Sequence, residues 1–82
     1  SMKVLITGAR APIALDLARA FHRAQHHVYL ADSTCYPLSK KSNSVIQYIT
    51  LPSPRLQPEQ FIDVLNQALK EFQINLLIPT CE

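Results

Sequence analysis

Lys3-Val4-Leu5-Ile6-Thr7-Gly8-Ala9-Arg10-Ala11-Pro12 decides the fold. Its first half is an unbroken apolar run rich in β-branched residues, the pattern of a strand buried on both faces. Gly8 to Ala11 then turns the chain. Pro12 stands where the first helical residue belongs, because its missing N–H would have had no partner there and its fixed φ suits a helix start. A helix follows over Ile13 to Gln25, and His27-Val28-Tyr29-Leu30-Ala31-Asp32 reads as a second strand. Strand, crossover helix and strand with short connections make a right-handed βαβ unit and a parallel sheet. Ligands of such sheets bind beyond the carboxyl ends of the strands, so function is sought at that end.

The first helix is expected to bury Ile13, Ala14, Leu17, Ala20, Phe21 and Ala24, and to expose Leu15 with Arg19 and His22. The segment after Asp32 is polar and contains Pro37, so it offers one helical turn at most. Val45 to Leu51 is the third strand. Pro52-Ser53-Pro54-Arg55-Leu56-Gln57 is a stiff connection, since two prolines exclude helix and central strand alike. Pro58 opens a second helix to about Gln73, with Phe61, Ile62, Leu65, Ala68, Leu69 and Phe72 on its apolar stripe. Asn75 to Pro79 is the fourth strand, with Thr80, Cys81 and Glu82 at its carboxyl end. The expected architecture is a Rossmann-like α/β domain: four parallel strands in the order 3-2-1-4, with a helix on each face.

Composition narrows the classes. Eighty-two residues make one small domain, and a chain of this length buries only about 60–65% of its unfolded surface. A net charge of +2, with Lys40-Lys41 the only basic pair, does not argue for nucleic acid. No apolar run approaches the roughly 20 residues of a membrane span, and the start is too short in apolar residues for a signal peptide. Cys35 and Cys81 fall in no CxxC pair and no zinc spacing, so reduced thiols in a cytoplasmic protein are expected, with no metal site. Ser1 ahead of Met2 reads as a cloning remnant.

Three groups of residues bear on chemistry. The first loop lacks the second and third glycines of a dinucleotide fingerprint: Arg10 and Ile13 stand in their places. A phosphate or carboxylate on the helix N-terminus with Arg10 as a planar donor is one reading of it. A plain turn with an exposed arginine is the other. Asp32 ends the second strand about 20 residues beyond the loop, where a nucleotide-binding domain puts its ribose acid; aspartate is also common where a strand meets a polar turn. Cys81 as a nucleophile would need a base, and the three histidines lie at the opposite end of the sheet. No catalytic residue is assigned.

The ordered set Lys3 to Pro12, Ala31-Asp32-Ser33, Tyr36-Pro37-Leu38-Ser39, Leu51-Pro52-Ser53-Pro54-Arg55 and Leu77-Ile78-Pro79-Thr80-Cys81-Glu82 resembles the N-terminal pre-ATP-grasp domain of ATP-grasp ligases, including relatives of biotin carboxylase and carbamoyl-phosphate synthase. The resemblance spans residues 2–82. It implies a parent enzyme that couples ATP cleavage to joining a carboxylate, through an acyl phosphate, to an amine or thiol. It also implies that Gly8, Ala9, Arg10, Ala11, Thr80, Cys81 and Glu82 face the substrate. The family's ATP and magnesium ligands belong to domains this chain does not contain, so by itself it is expected to hold no cofactor and to be catalytically silent. Its expected partners are those ATP-grasp domains or another copy of itself. The alternatives are the opening of an NAD(P)-dependent epimerase or short-chain reductase, and a small interaction domain without catalysis.

Overall fold

A computed structural model of the chain describes residues 1–33 and 42–80. Six elements follow in order: β1 (Lys3–Thr7), α1 (Pro12–Arg23), β2 (His27–Asp32), β3 (Gln47–Thr50), α2 (Pro58–Glu71) and β4 (Leu76–Pro79). The strands form one parallel sheet in the order β3-β2-β1-β4. This is the expected Rossmann-like arrangement.

Alternation along the two central strands divides the core. Val4 and Ile6 of β1, with Val28 and Leu30 of β2, pack under Ala14 and Ala18 of α1. Leu5, Tyr29 and Ala31 point the other way, onto Phe61, Val64, Leu65, Leu69 and Phe72 of α2. Each helix therefore covers its own face. Val4, Leu5 and Ile6 are fully buried, and each contributes about 1.5–3 kcal/mol through the apolar area it hides. The small Ala14 and Ala18 let α1 lie close on the sheet.

The helices sit rotated from the expected stripes. Ile13 is 52% exposed, Ala20 and Ala24 are exposed, and Leu15 is half-buried rather than pointing out. The buried face of α1 runs through Ala14, Leu17, Ala18 and Phe21, spaced three and four apart. On α2, Ile62 is 52% exposed and Val64 packs inward instead. An apolar residue beside the true stripe cannot be distinguished from a member of it by periodicity alone.

Both helices also end earlier than expected, for one shared reason. Gln25 and Gln73 adopt left-handed backbone, with φ of 71° and 55°. After α1, the N–H of His26 donates to the Phe21 carbonyl at 3.0 Å and that of Gln25 to the His22 carbonyl at 2.9 Å. After α2, Ile74 donates to Leu69 at 3.0 Å and Gln73 to Lys70 at 3.2 Å. These are two Schellman closures, each built on a glutamine where glycine is usual.

The outer strands are shorter than the sequence suggests. β3 begins at Gln47 rather than Val45 and ends before Leu51; β4 begins at Leu76 rather than Asn75. Asn75 still ties the edge: its N–H donates to the Lys3 carbonyl and its Oδ1 accepts the Lys3 N–H, both at 2.8 Å.

Candidate functional site at the carboxyl ends of the strands

The first loop leaves β1 through Gly8, whose φ of 81° suits glycine. A Cβ on Gly8 would overlap the carbonyl oxygen and Oγ1 of Thr80, so the residue is required twice over. Thr80 closes on the loop from the end of β4. Its N–H donates to the Thr7 carbonyl at 3.1 Å, and its hydroxyl reaches the carbonyls of Thr7 at 2.6 Å and Gly8 at 3.1 Å. The first loop and the end of the last strand therefore meet at one crevice, as the strand order requires.

Asp32 ties the loop down from β2. The carboxylate is 6% exposed. Its Oδ2 accepts the Arg10 backbone N–H at 3.1 Å and the Arg10 Nε–H at 2.9 Å, while Oδ1 accepts the Ser33 N–H at 2.6 Å. A buried carboxylate with an arginine and two amide donors is a satisfied charge. The guanidinium side is more open, with the Arg10 side chain 41% exposed.

The other loop amides are engaged within the protein too. Gly8 and Ala9 donate to the Ala31 carbonyl at 3.0 and 3.3 Å, Ala11 to the Gly8 carbonyl at 2.9 Å, and Ala14 to the Ala11 carbonyl at 3.0 Å. Dinucleotide loops bind pyrophosphate by presenting such N–H groups to it. Here a phosphate on those amides would first have to displace internal hydrogen bonds.

A cavity of about 270 Å³ lies over these groups. Gly8, Arg10, Asp32 and Thr80 form its polar side, and Leu51, Pro54 and Phe61 an apolar wall. Of the site residues expected from sequence, these four polar ones line the cavity. Ala9 and Ala11 are buried beside it, and Cys81 and Glu82 lie outside the described residues, as do Cys35 and Lys40-Lys41. The apolar wall was missed. Its signal was the Leu51-Pro52-Ser53-Pro54 connection, which has to cross the carboxyl edge of the sheet to reach α2.

At the opposite end, a larger and open concavity of about 760 Å³ is lined in part by His22, His26 and His27. The Met2 N–H donates to His26 Nδ1 at 2.9 Å, so that nitrogen serves the fold. Among the described residues no three His, Cys, Asp or Glu side chains are placed to hold a metal ion. None of their helices is long and apolar enough to cross a membrane.

The fold and crevice define a parallel α/β domain with a partly polar cleft at the carboxyl ends of its strands. Comparison with protein-family models, curated proteins and solved structures returned no match.

Proposed function

We propose that the chain is the N-terminal, substrate-side domain of an ATP-grasp ligase-like protein, catalytically silent without the domains that bind ATP and magnesium. The observation that carries this reading is the meeting of the first loop with the end of β4, through Gly8 and Thr80, beside Arg10. The resemblance implies that these two segments flank the substrate. The internally bonded loop amides support the same reading, because they favour a substrate-facing turn over a nucleotide cradle. In this reading Arg10 meets an anionic group of the substrate, Leu51 and Phe61 offer it an apolar wall, and ATP and magnesium are held elsewhere in the parent protein.

The reading frame that encodes the chain tests the proposal. A frame that runs on past the Glu82 codon for several hundred residues, with an ATP-grasp lysine and acidic metal ligands, supports it. A frame that continues into the catalytic Tyr and Lys of a short-chain reductase, or that stops at once, overturns it.

A further inference from the structure

The Asp32 carboxylate is engaged by groups of the protein itself. Oδ2 carries two donors from one residue, the backbone N–H and the Nε–H of Arg10, and Oδ1 carries the Ser33 N–H. We propose that Asp32 is a positioning residue for Arg10, fixing the loop and the guanidinium together so that an anionic group entering the crevice meets the arginine in one orientation. The inference rests on the substrate-side reading above and adds a role for a residue that would not itself touch the substrate.

Asp32 is anchored at the end of a central strand and is 6% exposed, so it moves little. Holding Arg10 by both backbone and Nε removes most of the rotamer freedom that an arginine otherwise loses on binding. A planar guanidinium also recognises carboxylate and phosphate through a directed fork, so its orientation matters more than its charge.

Charge and orientation predict opposite results, which makes the role testable. Removing the Asp32 charge would by itself tighten the binding of any anion at Arg10, because a nearby negative charge disappears. Loss of orientation would weaken it. The experiment is an NMR titration of the 82-residue chain with inorganic phosphate at constant ionic strength, on the parent, Arg10→Ala, Asp32→Asn and Arg10→Lys. We expect phosphate to move the Gly8, Arg10 and Thr80 signals of the parent, and Arg10→Ala to abolish the response. Asp32→Asn should weaken binding by about threefold or more. Arg10→Lys, which keeps the charge but loses the Nε–H, should weaken it similarly and serves if Asp32→Asn does not fold. In the parent, the Arg10 Nε–H should exchange with water more slowly than those of the exposed Arg19, Arg23 and Arg55. Equal or tighter binding by Asp32→Asn or Arg10→Lys, or fast Nε–H exchange, overturns the positioning role and leaves the substrate-side reading standing. No response in the parent removes Arg10 as an anion-recognising group, and both fall together.

Discussion

Thr80 lies so close to Gly8, 72 residues earlier in the chain, that its hydroxyl donates to the Gly8 carbonyl at 3.1 Å and no side chain fits on the Gly8 α-carbon. With the Thr80 bonds to the Thr7 carbonyl, this contact closes the crevice between the first and last strands. Gly8→Ala adds a Cβ at positive φ and drives it into Thr80. We expect a loss of about 2–4 kcal/mol in urea unfolding, from left-handed strain plus overlap with backbone. A loss below about 1 kcal/mol would mean that β4 does not close on the loop as described.

The two glutamines that end the helices carry strain of the same kind in the opposite sense for design. Gln25→Gly and Gln73→Gly relieve left-handed backbone at C′ positions and keep both Schellman hydrogen bonds. Each should stabilise the chain by about 0.5–1 kcal/mol, net of the added freedom of the unfolded state. Destabilisation by either would show that the glutamine side chain contributes something its backbone does not.

These ends show where the sequence was legible. The strand order, both helix starts and the crevice follow from apolar runs and from Pro12 and Pro58, whose chemistry acts locally. The helix stops did not follow, because the single glycine of the chain is used at Gly8 and the left-handed positions fall to glutamines that look like ordinary helix formers. The facing of Ile13 and Leu15 was missed because the rotation of α1 is set by how Ala14 and Ala18 seat on the sheet, and that of Ile62 because α2 seats on the other face through Phe61, Val64, Leu65 and Leu69, both tertiary effects. Asp32 was legible as a residue of interest. Its bond to Arg10 was not, since sequence spacing does not show which way a loop folds back.

Core and surface apolar residues should separate cleanly. Leu5→Ala removes a fully buried side chain between sheet and α2 and should cost about 2–5 kcal/mol. Ile62→Ala, half exposed on the same helix that covers Leu5, should stay within about 0.5 kcal/mol of the parent. Denaturant midpoints at unchanged slope measure both. A large loss at Ile62 would restore the stripe expected from periodicity.

β4 is an edge strand, paired on one side with β1, and Leu77 on it is 37% exposed. Unpaired strand edges with apolar side chains are templates for another chain. Within the proposed reading, the rest of the ligase would cover this edge, and the 82-residue chain alone should self-associate through it. Sedimentation at micromolar concentration should show a dimer or larger species for the parent and a monomer for Leu77→Lys. A monomeric parent contradicts this use of the edge.

In the proposed reading the crevice faces a substrate and nucleotide binding belongs to other domains. Calorimetric titration of the chain with NAD, NADP and Mg-ATP tests it most directly. None of the three should bind more tightly than inorganic phosphate does at Arg10, because the loop amides are bonded internally and the glycines of a pyrophosphate cradle are absent. A micromolar dissociation constant for NAD or NADP would contradict it and make the chain the opening of a nicotinamide-dependent enzyme.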